Sequence, residues 1–153
     1  MVLNYPLLKL QEYAQVFTDI AAVRATAPPP LILKVILETS QLTSKDIIGG
    51  CKIAVAAHAD FVKTSTGFNG QGATEDNVRL MRSVVDDGGG VKVKASGGVK
   101  TLGDCVRMME AGAERIGTSS GVWIMEEARR RVEGITHEVG GDDVGNAKPQ
   151  RTV

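Results

Sequence analysis

Short apolar runs alternate along this chain with longer segments in which apolar residues recur every three or four positions. The apolar runs predict strands near residues 2–5, 31–37, 60–63, 91–94 and 115–117. The longer segments predict helices near residues 13–27, 43–57, 74–85, 101–111 and 120–132, most of them opened by a serine or threonine cap. Such an alternation of strands and helices favours a parallel sheet with right-handed crossovers.

A weak internal repeat narrows the predicted fold. Residues 57–66 resemble residues 111–120, and this offset corresponds to about two strand–helix units of a barrel. We therefore expect an α/β fold of the (β/α) TIM-barrel kind, with a doubly wound sheet as the alternative. Residues 1–132 form the expected domain, and residues 133–153, which show no periodicity, are expected to form a flexible tail.

Composition excludes several classes of function. The 18 basic and 18 acidic residues cancel, whereas a nucleic-acid binder usually carries a basic excess. The basic run at residues 129–131 is better explained as a solvated helix end. No apolar run approaches the length of a membrane span, and no signal pattern opens the chain. Cys51 and Cys105 lie in helical patterns without a metal-binding or disulfide spacing, so we expect thiols and a cytoplasmic location.

Two lysines carry the strongest chemical signal. Lys63 ends one apolar run and is followed by Thr-Ser-Thr-Gly, and Lys94 ends another and is followed by Ala-Ser-Gly-Gly. Both amines are then expected at the carboxyl-terminal mouth of the sheet. If they converge, each cation makes the other harder to protonate, and one becomes a free nucleophile near neutral pH. This pattern predicts a Schiff-base enzyme.

Two glycine- and hydroxyl-rich loops follow the last two predicted strands. They are Ser96-Gly97-Gly98 and Gly117-Thr118-Ser119-Ser120-Gly121. Glycines allow a backbone to approach an anion closely, and free amides at a helix N-terminus donate to it. Either loop alone would be explained as a tight turn, but the two together at the end of a barrel-like chain predict a phosphate site.

These motifs resemble those of the deoxyribose-phosphate aldolase family. The resemblance rests on residues 62–67, 93–98 and 116–120, supported by residues 33–39, and extends over about residues 1–125. It implies a class I aldolase with a (β/α)8 TIM barrel, of which this chain would hold about strands 4–8. It also implies reversible cleavage of 2-deoxy-D-ribose 5-phosphate to acetaldehyde and D-glyceraldehyde 3-phosphate, without metal or cofactor.

The resemblance assigns roles to individual residues. Lys63 would form the Schiff base, and Lys94 would be the neighbouring cation that depresses the pKa of Lys63 and helps to move protons. Lys34 would line the pocket, although a lysine reaching along the sheet to solvent explains it equally well. Thr66 would lie beside the substrate. The phosphate would be held by Gly97, Gly98, Gly117, Ser119 and Ser120.

The chain departs from the family pattern in several respects. The catalytic aspartate of the family would lie immediately before Met1, and strands one to three would also lie outside the sequence. His58 occupies a position where the family usually has glycine and where φ is expected to be positive. An open sheet exposes two edges and an inner face, so we expect marginal stability, a homodimer through the open barrel edge, or a longer product.

Two other functions remain as alternatives. One is a non-catalytic phosphate-binding half-barrel that acts through association. The other is a different phosphate-binding barrel enzyme, such as an isomerase, which the lysine pair disfavours because such enzymes generally use carboxylates. The partner expected under the leading hypothesis is a small sugar phosphate, with neither nucleic acid nor membrane involved.

Overall fold

Four short parallel strands, hydrogen-bonded in the order β1-β2-β3-β4, form the sheet. The computed structural model describes residues 1–86 and 90–134. The strands are β1 (Lys34–Ile36), β2 (Phe61–Lys63), β3 (Lys92–Ser96) and β4 (Arg115–Gly117). The helices are α1 (Tyr5–Lys9), α2 (Tyr13–Thr26), α3 (Ser44–Ala56), α4 (Glu75–Val85), α5 (Leu102–Glu110) and α6 (Gly121–Val132), with a 3-10 turn at Thr39–Gln41.

The predicted alternation of strands and helices is confirmed from β1 onward, and this makes the chain a partial (β/α) barrel. Each strand pairs with the next one along the chain, as in a barrel wall. Threonine caps begin three of the helices, and those at Thr43 and Thr101 form complete capping boxes with the aspartates three residues later.

The two faces of the sheet have opposite characters because side chains alternate along each strand. Val35, Val62 and Val93 occupy one row across the sheet, are fully buried, and belong to the core formed with the helices. The opposite, inner face carries the lysines of β1, β2 and β3. The core therefore lies between the sheet and the helices, and the polar side chains that could take part in a reaction lie on the inner face.

The first predicted strand is the main error in the predicted fold. Val2 makes only an isolated parallel bridge to Ile36. Tyr5, assigned to that strand, instead begins helix α1, which the sequence pattern did not predict. The Asn4 side chain caps this helix and Pro6 occupies its first turn, so local turn chemistry prevails over the apolar run.

Finer expectations are met in part. His58 has φ 57°, as expected at a position where glycine is usual. The predicted strand at residues 31–37 is shorter, because Leu31 and Ile32 are exposed ahead of β1. Most of the predicted tail, residues 135–153, lies outside the described residues.

The charged and sulfur-containing residues behave as the composition suggested. The three arginines of the basic run pair with glutamates four residues away along α6 or just beyond it, as expected of a solvated helix end. Burial raises the pKa of the Cys51 thiol to about 12, which makes it an inert core residue. In the described residues, no helix combines the length and apolarity needed to span a bilayer.

Candidate active site

Strand register brings the two lysines of the motifs together. Lys63 at the end of β2 is the direct partner of Lys94 in β3, and both side chains lie on the inner face. Neighbouring strands lie about 4.8 Å apart, so the two stems start side by side. The backbone geometry therefore places both lysines at the same end of the sheet, as predicted.

Loops after β2, β3 and β4 surround the lysine pair and enclose a cavity of about 530 Å³. Seven of the nine site residues predicted from the sequence line it. They are Lys63, Thr66, Lys94, Gly97, Gly98, Gly117 and Ser119. The cavity opens at the carboxyl ends of the strands, the place where barrels of this kind hold their sites.

The other two predicted residues lie just outside this lining. Ser120 is the N-cap residue of α6, and its backbone N–H donates to the Thr118 hydroxyl at 2.9 Å. Lys34 begins β1, and its Nζ lies 5.3 Å from the centre of the Phe61 ring. Since Lys34 pairs with Phe61, it stands one inward-facing row below Lys63. The assignment of substrate contacts to these two residues stays a prediction.

The glycines of the loops have conformations that other residues rarely adopt. Gly97 and Gly98 follow one another at φ 83° and 78°. Gly97 also packs directly against the backbone of Gly72, where Ala73 N–H donates to the carbonyls of Ser96 and Gly97 at 3.0 Å. This contact fixes the loop after β2 against the loop after β3.

Besides belonging to the predicted phosphate loop, Gly117 has a second structural role that the sequence did not reveal. A Cβ on Gly117 would lie 2.7 Å from Cε of Lys94 and would overlap the Ser96 hydroxyl. The absent side chain thus leaves the path along which Lys94 reaches into the cavity. Gly117 therefore supports the amine as well as lining the anion loop.

The electrostatics of the site centre on Lys94. Burial lowers the pKa of Lys94, and the nearby charges of Lys63, Lys34 and Arg115 lower it further. Repulsion within the lysine pair favours a state in which one of the two amines is uncharged. An uncharged amine is the form that attacks a carbonyl carbon.

Glu38 is a functional candidate that sequence reasoning passed over. It follows β1 with φ 61°, is fully buried, and accepts hydrogen bonds from the backbone N–H and the hydroxyl of Thr66. Glu38 thereby fixes the loop that carries Thr66 into the cavity. A single acidic residue at the end of an apolar run was the available signal.

Phe68, Lys100 and Thr118 also line the cavity, although the sequence analysis gave none of them an individual role. Phe68 is 93% exposed at the rim, and Lys100 adds another amine beyond the glycine pair. The Thr118 hydroxyl donates to the Val99 carbonyl at 2.6 Å and so connects the two candidate anion loops. The position of Lys100 directly after a glycine loop is a signal that could have marked it as an anion contact.

Comparison with known proteins identifies the family. A model described as DeoC/LacD family aldolase matches residues 1–126. The chain belongs to this aldolase family. The matched segment contains both lysines and every loop of the cavity described above, so the family and the geometry concern the same residues.

Curated relatives are identical to this chain at half or more of the matched positions. The chain is 57% identical over 130 residues to a deoxyribose-phosphate aldolase from Coccidioides immitis, covering 84% of this chain and 48% of the relative. It is 50% identical over 129 residues to one from Carboxydothermus hydrogenoformans, covering 82% of this chain and 56% of the relative. The chain thus spans about half the length of the curated relatives it matches.

A solved structure agrees with the sequence matches. The crystal structure of a protein from Coccidioides immitis, titled as a deoxyribose-phosphate aldolase, superposes with a TM-score of 0.82 at 57% identity. The match covers 84% of this chain and 51% of that chain. This confirms the predicted family resemblance and the predicted partial barrel.

Replacing Glu38 tests its hold on the Thr66 loop. Glu38→Ala leaves the Thr66 N–H and hydroxyl without their buried acceptor, so we expect the free energy of unfolding to fall by about 1–3 kcal/mol. Glu38→Gln keeps a carbonyl acceptor and is the matched control. Urea melts of the two variants check this, and equal losses would show that hydrogen bonding to Thr66 does not matter.

Replacing Gly117 tests the space left for Lys94. Gly117→Ala forces Lys94 and Ser96 to move, and overpacking of this kind lowers the free energy of unfolding by about 1–3 kcal/mol. Gly121→Ala is the control, because a Cβ there meets nothing within 4 Å. Urea melts measure both variants, and an unchanged Gly117→Ala would mean that Lys94 takes another path.

Proposed function

We propose that this chain carries the Schiff-base site of an aldolase that cleaves 2-deoxy-D-ribose 5-phosphate reversibly to acetaldehyde and D-glyceraldehyde 3-phosphate. One observation carries the proposal: Lys63 and Lys94 are register partners on the inner face, inside a cavity bounded by two glycine loops. Membership of an aldolase family supports it. Relatives at 50–57% identity are named deoxyribose-phosphate aldolases.

In the proposed reaction, Lys63 is the nucleophile. Its uncharged amine attacks C1 of the open-chain sugar, and loss of water gives a protonated imine. Acetaldehyde has two carbons and the phosphorylated product three, so the bond that breaks joins C2 and C3. The electron pair of that bond moves toward the iminium nitrogen and leaves an enamine. Protonation at C2 and hydrolysis then release acetaldehyde and regenerate the lysine.

Proton transfer in this scheme falls to Lys94. The carbinolamine must be protonated to lose water, and the C3 hydroxyl must lose its proton as the bond breaks. Lys94 lies beside Lys63 and has a lowered pKa, so it exchanges protons more readily near neutral pH than an ordinary lysine. The Thr66 hydroxyl faces the same cavity and orients the sugar.

The phosphate end of the substrate would occupy the loops after β3 and β4. Gly97 and Gly98 present backbone with positive φ, and Gly117, Ser119 and Ser120 lead into the N-terminus of α6. A helix N-terminus attracts anions, and the Lys100 amine adds a positive charge at the rim. Lys34 would act from the row below, as an electrostatic neighbour.

We infer that the same chain associates with a second copy. In the described residues, β4 pairs on one side only, with β3. Next to it, helix α6 exposes Val122, Trp123 and Met125. An unpaired strand beside apolar side chains favours a homodimer through the open barrel edge. The two thiol cysteines agree with a reducing, cytoplasmic setting.

Association is checked by size-exclusion chromatography over a range of protein concentrations, followed by a urea melt at each concentration. We expect the elution volume to decrease and the melt midpoint to increase as concentration rises, because a dimer is stabilised by mass action. A compact monomer that unfolds cooperatively at every concentration would contradict the proposal.

The Schiff base is tested by trapping. The full chain is incubated with 2-deoxyribose 5-phosphate and borohydride, and the modified residue is located by peptide mass spectrometry. We expect an adduct on Lys63, its loss in Lys63→Ala, and its retention in Lys52→Ala, which changes an exposed lysine on α3. Lys94→Ala is expected to slow adduct formation without moving it to another residue.

Two results would count against the proposal. Absence of any adduct, with sugar phosphate still bound by the protein and by Lys63→Ala, would favour the non-catalytic half-barrel that the comparisons do not support. An adduct confined to other lysines would show that Lys63 is not the nucleophile.

A further inference from the structure

One aromatic ring lies among the cations of the inner face. Phe61 is only 6% exposed and pairs in register with Lys34 on one side and Lys92 on the other. The Nζ of Lys34 lies 5.3 Å from the ring centre, and the guanidinium carbon of Arg115 lies 4.9 Å from it. Both distances fall within the range of cation–π attraction.

Arg115 is the third member of the row that holds the lysine pair. It is the register partner of Lys94 in β4, just as Lys63 is in β2. Its side chain reaches back across the sheet to the Phe61 ring, where it lies within cation–π range. The adjacent Glu114 pairs instead with Arg82 and Lys92, so within residues 1–86 and 90–134 Arg115 has no carboxylate partner.

We propose that Phe61 and Arg115 are positioning residues for the lysine site, because the Phe61 ring holds the charges of Arg115 and Lys34 close to the amine of Lys94. Like a carboxylate, the ring attracts the cations and holds them in place. Unlike a carboxylate, it carries no net negative charge and so does not neutralise them. The fixed positive charges then disfavour a proton on Lys94. The inference rests on the proposed function for its purpose, though not for its test.

Other charged groups face Lys94 and are part of the same balance. From β2, β1 and β4 they are Lys63, Lys34 and Arg115, and from the loop after β3 Lys100 lines the same cavity. Lys92, on the same strand as Lys94, turns to Glu114 instead. The Met1 amino group lies near Lys63 and Lys34, and burial together with those two charges lowers its pKa. The buried Glu38 carboxyl faces Thr66 rather than the lysines.

The pKa of Lys94 is lowered first by burial and then by Lys63, Lys34 and Arg115. Removing the charge of Arg115 is therefore expected to raise the pKa of Lys94 toward its ordinary value. Replacing Phe61 with leucine keeps an apolar side chain of similar depth but removes the face that attracts both cations. This change is expected to move the pKa of Lys94 in the same direction.

Competitive amine labelling measures this without substrate. The full chain and its Arg115→Gln, Arg115→Lys and Phe61→Leu variants are labelled briefly with trace acetic anhydride across a pH series. They are then denatured and labelled to completion with the isotopic reagent, and each lysine is quantified by mass spectrometry. Circular dichroism melts establish folding, and the exposed Lys52 on α3 is the reference amine.

The expected result is a rise in the labelling midpoint of Lys94 in Arg115→Gln and Phe61→Leu, with the low midpoint kept in Arg115→Lys. An unchanged Lys94 midpoint in a folded Arg115→Gln would overturn the proposal, and so would an equal rise in Arg115→Lys. If Arg115→Gln does not fold, Phe61→Leu decides, since an unchanged midpoint there refutes the role of the ring. If the labelling midpoint of Lys52 shifts together with that of Lys94, the variant has loosened the whole fold, and this result would also overturn the proposal.

The labelling experiment and the trapping experiment test different claims, so the outcome of one does not determine the outcome of the other. Labelling reports the proton on Lys94 whether or not a sugar binds. A missing adduct on Lys63 would defeat the proposed aldolase and leave the labelling result standing. If the labelling midpoint of Lys94 is the same in all variants while the adduct still forms on Lys63, only the inference about Phe61 and Arg115 is contradicted.

Discussion

The parallel register of β2 and β3 is the constraint on which the site depends. It makes Lys63 and Lys94 direct partners, and because side chains alternate along a strand, both amines lie on the inner face. A slip of one residue would place one of them among the buried valines facing the helices. The burial of Val62 and Val93 therefore fixes the position of the amines as firmly as any polar contact does.

Crowding cations on one face is unfavourable, and the structure shows how it is tolerated. Within residues 1–86 and 90–134, Lys63, Lys94 and Arg115 form no salt bridge with a carboxylate: Glu38 binds Thr66, and Glu114 turns to Arg82 and Lys92. These three cations are therefore not neutralised by a carboxylate within the described residues. Phe61 attracts two cations without cancelling their charge, and the cavity is open to water. The residual repulsion makes the proton on Lys94 easier to give up, which suits the proton-transfer role proposed for this residue.

Local signals explain which parts of the fold and site were predictable. An apolar run that ends in lysine and then glycine or hydroxyl residues specifies a strand end and its loop, so the sequence predicted Lys63 and Lys94 at strand ends. Their direct pairing depends on the register of β2 and β3. The contact between Phe61 and Arg115 needs the register of three strands, which no local pattern contains. Glu38 was missed because its partner, Thr66, lies 28 residues away in the sequence.

Hydrogen-bond directions at Thr66 limit what this residue can do in the cavity. A hydroxyl has one proton to donate and two lone pairs with which to accept. The Thr66 hydroxyl donates to Glu38 and accepts the Phe68 N–H at 3.1 Å. One lone pair is then left for a ligand, and no proton. Thr66 would therefore recognise a substrate hydroxyl as an acceptor only, which leaves proton donation in the proposed reaction to the amines and water.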